Sequence, residues 1–347
     1  MPYLNQANNR KILITGGAGF IGSYLAQIFL QSGFKIKILD TISLPRNLSR
    51  GIEYIRGDVT KRKSWSRALR GVTHVVHLAA YGDNFPDFST CFKVNAAGTA
   101  LLYEVIRDKK LPIKQVIIAS SQSVYGEGKY FCRKHGTFYP GARPKKELKL
   151  GRWDICCPKD NKPAQVLPSE EDDKLLPVSP YGISKLAEES IAMAAGKEFN
   201  IPTTVLRYAM LCGAYLGMRA IYPNAIKYFA EKALEKKSIT LHEDGRQSRD
   251  FVDIRDLGAA HLAVLDNSKA YYQAFNVGSG KSIRIVDLAR IVYAAIGAEF
   301  KPLFRNEFRQ FTPRHLAMSV KKIRSLSWKP RYKINESIRE YIKAIKS

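Results

Sequence analysis

Along the first half of the chain, short apolar runs alternate with segments whose apolar residues recur every three or four positions. Lys11–Thr15, Lys35–Asp40, Glu53–Gly57, His74–Leu78 and Gln115–Ser120 read as strands. Ile21–Gln31, Ser64–Leu69 and Val94–Arg107 read as the helices between them. Strands separated by helices predict a parallel sheet covered on its faces, the doubly wound α/β class. A helix over Tyr181–Lys197 and a strand over Thr203–Arg207 continue the pattern. After them come helical patterns at Ala220–Glu235, Asp256–Asp266 and Ile285–Ala295, mixed with short strands. These pieces are too fragmentary for a second sheet of similar size, so a smaller C-terminal lobe is expected to cover the substrate. The expected division is residues 1–205 and 206–347, with some later segments returning to the first unit. Gly128–Val178 fits no compact pattern; it is long, basic and rich in Pro and Lys. A loop of that length is expected to be functional or mobile.

The turn after the first strand carries the first chemical signal. It reads Thr15-Gly16-Gly17-Ala18-Gly19-Phe20-Ile21-Gly22, with Gly16, Gly19 and Gly22 in GxxGxxG spacing. Glycines there permit a tight turn and let backbone N–H groups approach a pyrophosphate, aided by the dipole of a helix that opens at Phe20 and Ile21. The strand before and the helix after raise this above a chance glycine triplet. Together they predict a Rossmann-type dinucleotide site. Asp40 closes the second strand, where a carboxylate accepts the ribose hydroxyls and repels a 2′-phosphate. NAD is therefore expected over NADP, with Arg46 nearby as the one opposing signal.

Tyr181-Gly182-Ile183-Ser184-Lys185 is a YxxxK segment opening a helix. Its spacing puts phenol and ammonium on one helical face. A lysine charge there, with the positive nicotinamide, is expected to lower the tyrosine pKa. The phenolate then removes a hydroxyl proton as hydride leaves the carbon. Ser121 falls at the end of the fifth strand, at the ligand end of such a sheet, where its hydroxyl can bond the reacting oxygen.

With these residues in place the chain resembles the extended short-chain dehydrogenase/reductases, in the NAD-dependent nucleotide-sugar epimerase/dehydratase family. The resemblance runs nearly end to end. It implies that Asp58 and Val59 contact adenine, that Leu78, Ala79 and Ala80 line the pyrophosphate, and that Asn95, Tyr181, Lys185 and Tyr208 also belong to the cofactor site. It implies substrate roles for Ser123, for Arg249 of Arg249-Asp250-Phe251-Val252, and for Arg314 as a second diphosphate arginine. Phe275-Asn276-Val277-Gly278 and Trp328-Lys329-Pro330 resemble two further family segments, with Ser327 where the latter has Gly. The implied activity is 4-epimerisation of a nucleotide-diphosphate sugar, with Ser121, Tyr181 and Lys185 catalytic and NAD regenerated in each cycle. Gln122-Ser123 lack the carboxylic acid that dehydratase relatives carry there, which argues against 4,6-dehydration. The alternatives are a reductase or decarboxylase of the same superfamily, or a non-catalytic NAD- or RNA-binding Rossmann protein. Family members commonly form homodimers through the two helices Val94–Arg107 and Tyr181–Lys197, and a homodimer is expected.

Departures concentrate in two places. Ala209-Met210 stands where the family usually has Phe-Asn, and Cys212-Gly213-Ala214 where it has Tyr-Gly-Pro. The Gly128–Val178 stretch contains Cys132, His135, Cys156, Cys157 and Asp160. Cys132, His135 and Cys157 could bind a structural zinc, with Asp160 or Cys156 as fourth ligand. The competing reading is a loop ordered by packing, with ordinary thiols.

Five cysteines, an odd number, do not form a secreted disulfide framework. Met1–Arg10 is polar and lacks a signal-peptide core. No apolar run reaches the roughly 18 residues that span a bilayer. A cytoplasmic protein without a membrane span is expected. The formal net charge of +25 favours anionic ligands. It is spread along the chain without an aromatic-interleaved RNA-binding motif, so nucleic acid is not expected as the partner.

Overall fold

A computed structural model describes residues 10–45, 48, 51–82, 87–214 and 225–346. The first unit runs β1 (Lys11–Thr15), α1 (Phe20–Gln31), β2 (Lys35–Asp40), β3 (Ile52–Arg56), α2 (Arg62–Ala68) and β4 (His74–His77). It continues with α3 (Phe88–Cys91), a π-helical turn at Phe92–Ala97, α4 (Gly98–Asp108) and β5 (Gln115–Ser121). After an insert with β6 (Lys129–Cys132), β7 (Gly136–Phe138), α5 (Lys145–Lys149) and β8 (Gln165–Leu167) come α6 (Pro180–Glu198) and β9 (Thr203–Tyr208). The remainder comprises β10 (Met210–Cys212), α7 (Ala225–Leu234), β11 (Ile239–His242), β12 (Ser248–Asp253), α8 (Ile254–Val264), β13 (Gln273–Val277), β14 (Ser282–Arg284), α9 (Ile285–Ile296), β15 (Pro302–Arg305), α10 (Lys321–Arg324) and α11 (Ile334–Lys346).

Seven strands form one sheet in the order β13-β9-β5-β4-β1-β2-β3, and every neighbouring pair is parallel. The order reverses between β1 and β4, which opens a crevice at their carboxyl ends. Alternation within β1 explains both layers. Ile12 and Ile14 pack with Leu25 and Phe29 of α1 and Leu257 of α8, while Leu13 packs with Trp65, Leu102 and Tyr103. Apolar residues on both faces are what a parallel sheet covered by helices demands. A third cluster joins Phe229, Leu288, Val292 and Ile338, from α7, α9 and α11, to Phe251 of β12. Only small sheets accompany it: β10-β12-β14 and β11-β15.

Two expectations change, and a third falls partly outside the described residues. The helix expected over Val94–Arg107 is α4 preceded by the π turn, which contains Asn95. Asn95 binds outward to Tyr81 and Ser184, and Thr99 Oγ caps its carbonyl at 2.7 Å. The helix expected from Ala220 is described from Ala225; residues 220–224, like Arg46, lie outside the described residues. The Gly128–Val178 stretch is no featureless loop: β7-β6-β8 is an antiparallel sheet, and Tyr130 and Cys132 are buried while Phe131 faces out. Its period-2 pattern is too short to stand out among lysines. Among the described residues, no helix is long and apolar enough to cross a membrane.

Candidate active site

The crevice is floored by the glycine turn. Gly16 has φ +66° and donates its N–H to Leu39 O at 3.0 Å. A Cβ on Gly22 would lie 2.3 Å from Gly16 O and 2.5 Å from Gly17 Cα, so only glycine lets the turn close against α1. A Cβ on Gly16 would come within 3.0 Å of Ala79, which sets the turn directly beside the segment after β4. Gly19 caps α1 without a side-chain acceptor, and the first turn of α1 carries no acidic residue. Uncapped N–H groups at a helix start suit a phosphate. Asp40 lies at the end of β2, where its carboxylate accepts Ala18 N–H at 2.9 Å and Ile42 N–H at 3.2 Å. This arrangement fits a dinucleotide: a turn free of side chains, a helix start, and a carboxylate where a ribose would lie.

Thr15 and His77 brace the floor. Thr15 Oγ lies 2.7 Å from His77 Nδ1 and accepts the N–H groups of Leu78 and Ala79. His77 Nε2 reaches Thr99 Oγ at 3.0 Å. Burial, with the Lys185 charge, pushes the His77 imidazole down to about 3, so it stays neutral. The resemblance implies that Leu78, Ala79 and Ala80 line the pyrophosphate; the clamp that Thr15 and His77 form beneath them has no signal in the sequence. Asp58 caps the turn before α2 through Thr60 N–H at 2.8 Å, and Val59 takes the Trp65 indole N–H on its carbonyl.

Tyr181 and Ser121 meet through their side chains. Ser121 ends β5, and its Oγ lies 3.1 Å from Ser123 Oγ, so all three hydroxyls share one place. Ser179 caps α6 by accepting Gly182 N–H at 3.0 Å, with Pro180 in the first turn. That cap fixes where Tyr181 enters the crevice, and a Cβ on Gly82 would touch its ring at 3.1 Å. Asn95 ties the wall together: Nδ2 donates to Ser184 Oγ at 2.9 Å and Tyr81 O at 3.0 Å, while Oδ1 accepts Tyr81 N–H.

Lys185 does not do what its spacing suggested. Its ammonium pairs with Glu188 one turn along α6, and both side chains are fully buried. Burial, reinforced by Glu188 and opposed by the Ser121 hydrogen bond, pushes the Tyr181 phenol up to about 12. The expected lowering by Lys185 is therefore not found in this state, because Glu188 answers the lysine charge. Tyr208 lies at the end of β9, its hydroxyl 2.9 Å from His261 Nε2. Burial holds His261 down to about 4.

The arginines of the substrate side separate into two kinds. Arg249 is buried, and its guanidinium donates to three carbonyls, those of Ser248, Pro313 and Arg314. Burial lowers it to about 10 despite the charges of Glu127 and Glu243. Arg314, expected to bind diphosphate, instead holds carboxylates: Asp154 at 2.8 Å, Glu243 at 2.9 Å and Asp244 at 2.7 Å. Arg143, missed in the sequence, joins the same network through Glu127 and Glu243. Residues 100 positions apart in the chain give no local signal of such a contact.

A family model for the NAD-dependent epimerase/dehydratase family matches residues 12–146 and 156–278. The chain belongs to that family. It is 31% identical over 349 residues to the dTDP-L-rhamnose 4-epimerase of Burkholderia thailandensis, covering 96% of this chain and 94% of that protein. It is 26% identical to a putative UDP-glucose 4-epimerase of Methanocaldococcus jannaschii, covering 97% and 98%. The crystal structure of UDP-glucuronic acid 4-epimerase from Bacillus cereus, in complex with UDP-glucuronic acid and NAD, superposes with a TM-score of 0.76 at 25% identity, covering 97% and 99%. UDP-glucose 4-epimerase from Thermotoga maritima shares the fold, with a TM-score of 0.77 at 22% identity, covering 97% and 98%. The family's terminal Trp-Lys-Pro segment also finds its reason here. Trp328 is buried and donates to Asp256 O at 2.9 Å, and Ser327 before it sits at φ +61°, where glycine is favoured.

Proposed function

We propose that this protein is an NAD-dependent nucleotide-sugar epimerase acting at C4. The observation that carries the reading is the Tyr181–Ser121 hydroxyl pair at the carboxyl end of β5, beside the glycine turn of β1. Full-length similarity to a dTDP-L-rhamnose 4-epimerase supports it. NAD, when bound, supplies the acceptor for hydride from C4 and returns it to the opposite face. Gly16, Gly19 and Gly22, with Phe20 and Ile21 at the start of α1, would hold its pyrophosphate and Asp40 its ribose. Asp58, Val59, Leu78, Ala79, Ala80, Asn95 and Tyr208 would complete that site. Tyr181 removes the C4 hydroxyl proton and later restores it, and Ser121 orients the oxygen. Proton transfer needs a base near the working pH. The phenol must therefore fall from about 12, and Lys185 achieves this only by turning from Glu188 toward the tyrosine. Arg249, a buried cation bonded to carbonyls, binds the sugar's diphosphate. Arg314 positions this region through its carboxylates.

Ala209 and Met210, where the family usually has Phe-Asn, favour a sugar unlike glucose or a different outcome of the keto intermediate, reduction or decarboxylation. Residues 1–205, joined by the end of β9 and by β13 of the same sheet, form the cofactor unit and the rest of 206–347 mainly the substrate lobe, in a cytoplasmic homodimer joined through α4 and α6. Light scattering at micromolar concentration tests the dimer, and a monomer refutes it. The test of activity is mass spectrometry and NMR of the purified protein with UDP-, dTDP-, GDP- and CDP-sugars, no cofactor added. A C4 epimer of unchanged mass is expected; loss of carbon dioxide or water, or no change, overturns 4-epimerisation. Tyr181→Phe should abolish turnover while NAD stays bound, and a near-normal rate would refute the base. The cluster of Cys132, His135, Cys157 and Asp160 lies outside this chemistry, in the insert.

A further inference from the structure

We propose that Cys132, His135, Cys157 and Asp160 hold one zinc ion that clamps the insert. The residues form two pairs of equal spacing, Cys-x-x-His and Cys-x-x-Asp, on two separate turns. One ligand atom from each lies within 4.8 Å of all the others. Cys132 Sγ is 3.5 Å from His135 Nδ1 and 3.8 Å from Asp160 Oδ2. His135 Nδ1 is 3.3 Å from Cys157 Sγ and 3.6 Å from Asp160 Oδ2. A tetrahedral zinc with bonds of about 2.3 Å to sulfur and about 2.0 Å to nitrogen or oxygen has ligand separations of about 3.3–3.8 Å. The four separations match that figure.

The backbone supplies an independent argument. Cys132 opens a tight turn that pairs with Gly136, and Gly136 has φ +77°. Cys157 opens a second, closed by Cys157 N–H to Lys162 O at 2.8 Å, with Asn161 at φ +54°. Each turn thus reverses through a left-handed residue directly after its second ligand, which aims both side chains of the pair to one side. The N–H groups of Lys159 and Asp160 are directed at Cys157 Sγ, which holds the sulfur in place. Asp160 Oδ1 accepts Lys162 N–H at 3.2 Å, which orients the carboxylate and leaves Oδ2 toward the other ligands. Two thiolates, a carboxylate and a neutral imidazole around a divalent ion sum to −1. Lys134, Lys159 and Lys162 flank them.

Four protein ligands leave no open position, so the ion is structural and takes no part in the sugar chemistry. Its place explains its use. Arg143, which reaches Glu127 and Glu243, lies in the chain between the two ligand pairs. The ion fastens both ends of the segment that delivers this guanidinium. Cys156, half-buried and bonded to Asp154 O, is not a ligand.

The test uses the full chain, expressed with zinc in the medium and purified without chelator or metal-affinity resin. Elemental mass spectrometry should find about one zinc per chain. Cys132→Ser and Cys157→Ser should each lose the metal while retaining bound nucleotide, read from absorbance after release. Asp160→Cys should keep it and slow its loss to a chelator at least about tenfold, since thiolate binds zinc more strongly than carboxylate. Should the serine variants not fold, cobalt substitution of the unaltered chain decides: tetrahedral thiolate–cobalt absorption is expected. Zinc-free protein with freely titrating thiols, a Cys132–Cys157 disulfide, or zinc retained in the double serine variant would each overturn the proposal. None of these readouts depends on sugar turnover, so failure here and failure of the epimerase reading are distinguishable.

Discussion

Glu188→Gln separates the two forces acting on the buried pair beside Tyr181. Burial raises the Glu188 carboxyl from 4.5 to about 7, although Lys185 pulls the other way. A carboxyl raised in this way takes up a proton on folding. Its contribution to stability is full below about pH 4.5 and is lost as pH rises through about 7. At about 1.4 kcal/mol for each pH unit, that loss amounts to about 3 kcal/mol. Glutamine has the shape of the neutral acid and cannot ionise. The variant should therefore differ from the parent by less than about 1 kcal/mol at pH 5 and be about 3 kcal/mol more stable at pH 9. With an unfolding entropy of about 2.1 cal/mol/K per residue over 347 residues, this raises Tm by about 4 °C. An opposing argument predicts the reverse sign: deleting one member of a buried ion pair commonly costs about 3–5 kcal/mol, because the surviving charge is stranded. The sign at pH 9 decides between desolvation and attraction. Calorimetry on nucleotide-free protein is the assay, since bound ligand would add its own stabilisation. A variant less stable than the parent at pH 9 would show that attraction dominates, and would refute the reasoning.

Three further outcomes follow from the geometry. Gly22→Ala puts a methyl 2.3 Å from Gly16 O, where overpacking costs about 1–3 kcal/mol or more, so the protein should purify without NAD; a normal nucleotide content would contradict this. Asp40→Asn keeps an acceptor for Ala18 N–H but removes the charge, and should weaken NAD by about 1.5–3 kcal/mol, roughly ten- to a hundredfold; calorimetric titration giving an unchanged Kd would dismiss the ribose role. Arg143→Leu leaves Glu127 and Glu243 buried beside an apolar side chain, and a loss of about 3–5 kcal/mol should lower Tm by about 4–7 °C. An unaltered melting temperature would mean that Arg314 and water satisfy both acids.

What the sequence discloses depends on how far apart the cooperating residues lie. Gly16 to Gly22, and Tyr181 to Lys185, lie within short stretches of chain, so spacing brings each set together, although it does not disclose that Lys185 pairs with Glu188; β1, β2 and α9 begin where the pattern says. The Arg143–Glu243 ion pair and the bond from Arg314 N–H to Glu127 join segments far apart in the chain; Arg143, Glu127 and Glu243 each read alone as solvated charges, and Arg314 reads as a diphosphate ligand. The insert's strands are three or four residues long, too short for alternation to stand out. Glu188 is the instructive case, because it lies only three residues from Lys185. A lysine and a glutamate at that spacing ordinarily mark the wet face of a helix. Here the same face carries Ser184 and Glu189, both buried, and Glu189 grips Arg207 of β9. Helix α6 is thus enclosed on its charged side by the sheet and by the turn of Asn95. Low hydrophobicity, the usual sign of exposure, here marks the part of the helix that faces the chemistry. A polar helix following a Rossmann half should therefore be read first as a wall of the site, and its charges paired with one another before they are assigned to solvent.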